Sequence, residues 1–361
     1  MPIHVHKNIA SLVPYSPGKP LDELERELGI SDAIKLASNE NSLGPSPKAQ
    51  AVLTQHVGDL NLYPDGGAHY LRKALGERWK VDPAQIVIGN GSDEVISLLV
   101  RAFLAPGEEA VMADDTFVMY KLAVQGGYGV PIEIPLKGWR HDLPNMARAI
   151  TGNTRLVFVC NPNNPTGTMV TQGAVESFLS LVPEHVIVVF DEAYYEYVQS
   201  EDYPDSLLYV KQKRPVVVLR TFSKIYGLAG LRVGYGISTL EIIDYVNRIR
   251  PPFNSNSLAQ FAALAALEDE EHVAKSRTMN NTEMAVLEKE LTRLDLSPIP
   301  SQANFIYFDT KRDGRQVFDA LLRKGVIVRH IKGPMIRVTV GQAAENQRFL
   351  QALRDVLKHL N

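Results

Sequence analysis

Residues 215–236 read PVVVLRTFSKIYGLAGLRVGYG, and the fold turns on how this stretch changes character along its length. Residues 216–219 are a short aliphatic, β-branched run with the length and composition of a buried strand. The run breaks at Thr221-Phe222-Ser223-Lys224, where a lysine stands between apolar strand and glycine-punctuated turn. An amine is thereby placed at the mouth of a core. Desolvation disfavours the ammonium form, so the pKa of such a lysine falls and its free amine can condense with an aldehyde. A lone strand-end lysine ordinarily reaches solvent beside its loop. Only neighbouring residues can give Lys224 a different meaning.

Upstream the pattern is regular. Apolar strands are expected at 86–88, 110–112, 130–134, 155–160 and 186–190, with helices between them at 94–104, 118–125, 144–150 and 173–181. Strands that are apolar throughout and alternate with helices imply an α/β fold with a mainly parallel central sheet covered on both faces. In such sheets, sites form in the loops beyond the carboxyl ends of the strands.

Polar residues gather at those ends. Gly89-Asn90-Gly91-Ser92-Asp93 follows the first strand and opens a helix, whose free amides and positive dipole end suit an anion. Asn161-Pro162-Asn163-Asn164-Pro165-Thr166-Gly167 follows a second strand, Asp191-Glu192-Ala193-Tyr194 a third, and Lys224 a fourth. Each cluster alone could be a turn or a helix cap. Together, and with the Ser223 hydroxyl and Arg232 guanidinium flanking the amine, they suit an aldehyde that carries a phosphate. Pyridoxal 5'-phosphate is such a molecule. Asp191 is then the carboxylate that keeps the ring nitrogen protonated, Asn164 and Tyr194 are donors to the phenolic oxygen, and Lys224 is the general base and acid for a proton shift at the substrate Cα.

On either side lie less regular segments. Residues 1–30 form an N-terminal arm, with Pro2, Pro14, Pro17 and Pro20 limiting regular structure except for a helix at 21–28. Residues 50–253 form a large domain, and 31–49 with 254–361 a smaller α+β domain, containing one long helical stretch at 255–294, strands at 326–329 and 335–340, and a terminal helix at 344–360. The 361 residues are 45% hydrophobic, enough for a large core, and a net charge of -3 leaves no basic surplus for nucleic acid. The single cysteine, Cys160, cannot make an internal disulfide. No stretch approaches the ~20 apolar residues of a membrane span, and the N-terminus lacks a secretory apolar region. A cytoplasmic location away from membranes is the expectation. His56 and His69 lack metal-ligand spacing, so no metal is expected. Glu94 occupies the place of the third glycine in a dinucleotide-binding fingerprint, which argues against a nucleotide-dependent dehydrogenase.

The strand-end clusters carry a resemblance. Asn-Pro-x-Asn-Pro-Thr-Gly, Asp-Glu-Ala-Tyr and Ser-Lys followed by Gly-Leu-Ala-Gly-Leu-Arg resemble the motif set of fold-type I aminotransferases. The whole chain is similar to the histidinol-phosphate aminotransferase family. The matching stretches are LASNENSLGPSP (36–47), LYPDGG (62–67), GNGSDE (89–94), NPNNPTGT (161–168), DEAYYEY (191–197), RTFSKIYGLAGLRVGY (220–235), ANFI (303–306) and IRVTVG (336–341).

The resemblance implies that Lys224 joins the cofactor covalently, Asp191 pairs with its ring nitrogen, and Asn164 and Tyr194 contact its phenolic oxygen. It implies ring stacking by Phe117 and phosphate binding by Ser92, Asp93, Ser223 and Arg232. It further implies a homodimer in which Tyr63 reaches the phosphate across the interface. Arg337 matches a residue for the substrate's anionic group, with Arg329, Tyr15 and Asn39 at further substrate-side positions. The implied reaction moves an amino group between a small-molecule donor and a keto acceptor, L-histidinol phosphate and 2-oxoglutarate giving imidazole acetol phosphate and L-glutamate in histidine biosynthesis. Aromatic amino-acid transamination is the nearest alternative, and decarboxylation of a phosphorylated amino acid is a second. Two stretches depart from the family pattern: Asp114-Asp115 stands where a proline commonly precedes the Thr-Phe element, and the segment between Arg329 and Arg337 is short.

Overall fold

The computed structural model describes residues 3–15 and 18–360. Thirteen strands form three sheets among these residues: β1 (Ile34–Lys35), β2 (Ile86–Gly89), β3 (Glu109–Ala113), β4 (Val130–Ile134), β5 (Thr154–Cys160), β6 (Ile187–Asp191), β7 (Val216–Thr221), β8 (Gly234–Ile237), β9 (Ser297–Ile299), β10 (Phe305–Asp309), β11 (Val326–Ile327), β12 (Arg329–Lys332) and β13 (Met335–Thr339). The central sheet has the order β2-β8-β7-β6-β5-β3-β4. All its neighbours are parallel except β8, which runs antiparallel between β2 and β7.

Alternation along fully buried strands sends side chains to opposite faces. Val157, Val159, Val188, Phe190, Val216 and Val218 join one core, whereas Leu156, Phe158, Ile187, Val189, Val217 and Leu219 join another on the opposite face. Helices therefore cover both faces, as the strand composition predicts. A four-stranded antiparallel sheet, β12-β13-β10-β9, has its own core of Ile306, Phe308, Ile336 and Val338 packed with Leu287, Leu291, Phe349 and Leu353 from two helices. The short parallel pair β1-β11 ties residues 34–35 to this part of the chain.

Two expectations are corrected, and two further elements were not anticipated. The stretch 255–294 is two helices, Ser257–Leu267 and Glu270–Arg293, separated at Glu268-Asp269. Asp269 caps the second helix and also accepts from Ser46 Oγ at 2.6 Å, so a tertiary contact holds the break where neither glycine nor proline marks it. The helix Ser257–Leu267, assigned by sequence to the smaller unit, instead lays Ala259, Ala262, Ala263 and Ala266 into the core beside the central sheet. Alanines allow close approach to the helices Pro47–His56 and His69–Trp79. Strand β8 was not anticipated because Gly234 and Gly236 look like turn residues. A Cβ on Gly234 would lie 2.3 Å from the Ser92 amide nitrogen, so glycine there permits strand and helix terminus to touch. The sequence also missed the short helix Ser206–Lys211.

Candidate active site

The carboxyl ends of β2, β3, β5, β6 and β7 lie along one edge of the central sheet. Beyond them is a cavity of about 270 Å³ lined by residues from all five following loops and from the four-stranded sheet. A larger cleft of about 1050 Å³ lies at the opposite edge, where its cationic side chains, Lys211, Lys213 and Arg214, fall at or just after the end of the helix Ser206–Lys211. The smaller cavity holds the convergent chemistry.

Lys224 follows β7 and is partly buried in the cavity, with Nζ donating to the Ser38 carbonyl at 3.2 Å. Burial lowers its pKa to about 8, aided by the nearby Arg337 guanidinium. The turn that presents it depends on Gly227, whose φ is +70° and whose absent Cβ would lie 2.2 Å from the Gly44 carbonyl oxygen. Backbone conformation and space both demand glycine there.

Asp191 ends β6 and is buried. Tyr120 donates its phenolic hydrogen to Oδ2 at 2.7 Å and the Ala193 amide donates to Oδ1 at 3.2 Å. Burial nevertheless raises the carboxyl pKa to about 6, so an ionised Asp191 is short of positive charge. On the neighbouring turn, the Tyr194 hydroxyl oxygen accepts from Asn39 Nδ2 at 2.9 Å, which leaves its hydrogen free to donate. Burial pushes the phenol's pKa up, so it stays protonated. Asn39 is fixed in turn by Thr339, whose hydroxyl oxygen accepts from the Asn39 amide at 3.0 Å.

Asn164 follows β5, and its Oδ1 accepts from Arg337 Nη1, leaving the amide Nδ2 to face the cavity. Arg337 Nη2 donates to the Ala37 carbonyl at 2.6 Å, and its Nε has no partner among the described residues. The guanidinium is thus held in place and keeps a buried donor unspent.

The helix Ser92–Phe103 begins at the cavity, preceded by Gly91 at φ +78°. A Cβ on Gly91 would lie 2.6 Å from Arg232 Nη2, so the glycine makes a cradle between the guanidinium and the helix terminus. Arg232 Nη1 reaches Ser223 Oγ at 3.5 Å. Asp93 Oδ1 is buried without a partner among the described residues. Phe117 lines the cavity and meets Tyr120 edge-on at 5.6 Å.

Most residues nominated from sequence therefore converge: Lys224, Asp191, Tyr194, Asn164, Ser92, Asp93, Ser223, Arg232, Phe117, Arg337, Asn39 and Tyr15 all line the one cavity. Two stand apart from its lining. Arg329 lies with its guanidinium carbon 5.4 Å from the Tyr15 ring. Tyr63 is 83% exposed and stacks on Phe253 at 4.7 Å. Sequence reasoning missed Tyr120. It also missed the support beneath Asp191, where Glu192 and Arg220 pair at 2.7 Å with both side chains buried. Among the described residues no cluster of three or more potential metal-binding side chains occurs.

A glycine cradle beside an arginine at a helix terminus, a carboxylate lacking a cation, and a partly buried amine of lowered pKa fit a phosphorylated pyridine aldehyde at its three chemical ends. On a mainly parallel sheet, that arrangement defines a fold-type I pyridoxal-phosphate-dependent transferase. Residues 31–353 match the family described as aminotransferase class I and II. The chain is 53% identical to histidinol-phosphate aminotransferase of Moorella thermoacetica, covering 97% of this chain and 92% of that one. It is 49% identical to histidinol-phosphate aminotransferase 2 of Carboxydothermus hydrogenoformans over 99% and 100% of the two chains. The crystal structure of histidinol-phosphate aminotransferase from Sinorhizobium meliloti in complex with pyridoxal-5'-phosphate superposes with a TM-score of 0.91 at 29% identity, covering 99% of this chain and 98% of that one. The chain belongs to the class I and II aminotransferase family, and within it to the histidinol-phosphate aminotransferases.

Proposed function

We propose that this enzyme transfers the amino group of L-histidinol phosphate to 2-oxoglutarate, giving imidazole acetol phosphate and L-glutamate, a reaction of histidine biosynthesis. The observation that carries the reading is the placing of Lys224, with its pKa of about 8, in one cavity with Asp191 and Arg337. Identities near 50% to relatives of that name support the substrate.

Pyridoxal phosphate, when bound, supplies an electron sink that makes the Cα–H of an attached amino compound acidic. The chain's own groups do the rest. The amides at Ser92 and Asp93, the Ser223 hydroxyl and Arg232 would hold the phosphate, and Phe117 would cover the ring. Asp191 Oδ2, braced by Tyr120, would hold the ring nitrogen's proton. Tyr194 and Asn164 would donate to the phenolic oxygen with the hydrogens that Asn39 and Arg337 leave free. Lys224 Nζ would take the proton that leaves the substrate Cα and deliver it to the carbon that had carried the cofactor's aldehyde, because near neutral pH its lowered pKa would let it act first as base and then as acid. Arg337 would receive the substrate's anionic end. A guanidinium pairs with a phosphate monoester or a carboxylate, so one group can serve both half-reactions. Arg329 and Tyr15 would complete that side.

A homodimer is part of the proposal. Tyr63 stands exposed among the exposed apolar residues Leu60 and Leu62, as a residue offered to a second subunit's phosphate site would. A cytoplasmic location accords with a biosynthetic role and a lone, buried thiol at Cys160. Structurally, we assign the described residues up to position 30 to an arm and divide the rest into a large cofactor-binding part and a smaller part built on the four-stranded sheet.

The visible spectrum of purified protein, before and after glutamate and then after imidazole acetol phosphate, tests the reading. Glutamate should convert the bound cofactor to its aminated form, and the keto phosphate should reverse the change. A kcat/KM that favours phenylalanine over histidinol phosphate would transfer the assignment to the aromatic aminotransferases, and release of carbon dioxide without a keto acid would transfer it to a decarboxylase.

A further inference from the structure

The two stretches that depart from the family pattern touch each other. Lys332, at the end of β12 in the short hairpin to β13, places Nζ 2.5 Å from Asp115 Oδ2, in the loop that follows β3. The Asp115 side chain is 14% exposed and that of Lys332 55% exposed. The loop is clamped on its other side: the Asp115 carbonyl accepts from Asn163 Nδ2 at 2.9 Å, and Thr116 Oγ1 donates to Asn163 Oδ1 at 2.8 Å. Phe117 comes next. On the hairpin, Arg329 and Arg337 are cross-strand partners.

A second contact runs beside the first. Trp139, anchored where its carbonyl accepts from Thr168 Oγ1 at 2.6 Å, meets Tyr307 of β10 edge-on at 5.8 Å. Tyr307 is the cross-strand partner of Arg337 on its other side. The Tyr307 phenol pKa is raised by burial and also by the charge on Asp115, so the two contacts share one seam.

We infer that Asp115 and Lys332 form a clasp between the four-stranded sheet and the loop carrying Phe117, and that they are positioning residues for the amino-acid substrate. Neither side chain lines the cavity. Their ion pair acts through what it connects: it fixes how far the arginine-bearing hairpin stands from the ring-covering phenylalanine, and hence the span available to a substrate anchored at its anionic end. The pair is half-exposed on the lysine side, so its effect is modest and sensitive to salt. The inference rests on the proposed roles of Phe117 and Arg337.

The test uses the glutamate half-reaction, followed by the cofactor's absorbance in single turnovers, with Asp115→Asn, Lys332→Met, the double variant and Lys332→Arg. Each single variant should raise the apparent dissociation constant for glutamate about two- to fivefold, with the limiting rate within about twofold of the parent. The double variant should be no worse than either single one, and Lys332→Arg should restore binding. Hydrogen exchange on cofactor-free protein should show residues 329–337 less protected in both single variants. Additive losses, loss of rate without loss of affinity, or unchanged affinity and exchange would each overturn the clasp. Glutamate serves any aminotransferase, so failure to turn over histidinol phosphate would count against the substrate assignment alone.

Discussion

Tyr120 donates its hydroxyl hydrogen to Asp191 Oδ2 at 2.7 Å, with both side chains buried between the helix Met119–Gly126 and the end of β6. The bond lowers a carboxyl pKa that burial has raised, and so favours the ionised form in the cavity. In Tyr120→Phe the Asp191 pKa should rise above its present value of about 6, and pyridoxal phosphate should bind roughly tenfold more weakly, as loss of a charge-assisted bond of ~1.5 kcal/mol predicts. Titration of cofactor-free protein by absorbance measures this. Equal affinity in the variant would mean that the phenol only packs.

The acid at position 191 trades stability for cofactor binding. Because its folded-state pKa is raised from 3.8 to about 6, the native state holds this proton more tightly than the unfolded chain does. Stability is therefore lost as pH rises through that window, and by pH 7 the cost of the ionised group is ~2–3 kcal/mol. Cofactor-free Asp191→Asn should melt at or above the parent temperature at pH 7, and the difference should vanish near pH 4. The same variant should gain far less stability from added cofactor. Calorimetry at the two pH values decides it, and a cofactor-free variant less stable than the parent at pH 7 would refute the account.

Only the neutral amine of Lys224 can attack an aldehyde. With a pKa of about 8, its reactive fraction rises tenfold per pH unit below that value and levels off above it. The second-order rate at which cofactor-free protein captures pyridoxal phosphate should follow this curve by stopped-flow absorbance. Arg337→Met removes a cation that lowers the lysine pKa, so the break should move to higher pH. Lys224→Ala should abolish covalent capture while retaining the fold.

Under Asp191, Arg220 sits with its guanidinium carbon 4.0 Å from the Trp79 ring and 3.5 Å from the Tyr195 ring, donating through Nε and Nη2 to Glu192 Oε2. Arg220→Met leaves Glu192 buried without its partner and should cost ~3–5 kcal/mol of folding stability. Combining it with Glu192→Gln should recover part of that loss. Denaturant unfolding of the three variants measures it, and a loss under ~1 kcal/mol for Arg220→Met would show that the pair is not enclosed as described.

Legibility followed the kind of force involved. The parallel strands and most helices could be read from local apolar runs, because a strand buried on both faces must be apolar along its whole length. Most of the residues that line the cavity could be nominated because they follow strand ends, whereas Tyr63 follows none and stands apart from the lining. Strand β8 was hidden by two glycines whose purpose is close contact with residues 140 positions earlier in the chain, and the break at Glu268-Asp269 by a cap whose other partner is Ser46. Tyr120 was passed over because nothing local distinguishes a tyrosine that packs from one that braces a carboxylate.

From its residues alone, the chain determined an α/β sheet, the strand ends at which chemistry gathers, and an amine, a carboxylate and an anion cradle suited to one cofactor. These are consequences of periodicity and side-chain chemistry within short windows. The tertiary structure decided which groups spend their hydrogen bonds on one another: Asn39 on Tyr194, Arg337 on Asn164, Tyr120 on Asp191, Lys332 on Asp115. Those choices join residues from 71 positions apart, Tyr120 and Asp191, to 173 apart, Asn164 and Arg337, and further still for Asp115 and Lys332, so only tertiary packing brings them within reach.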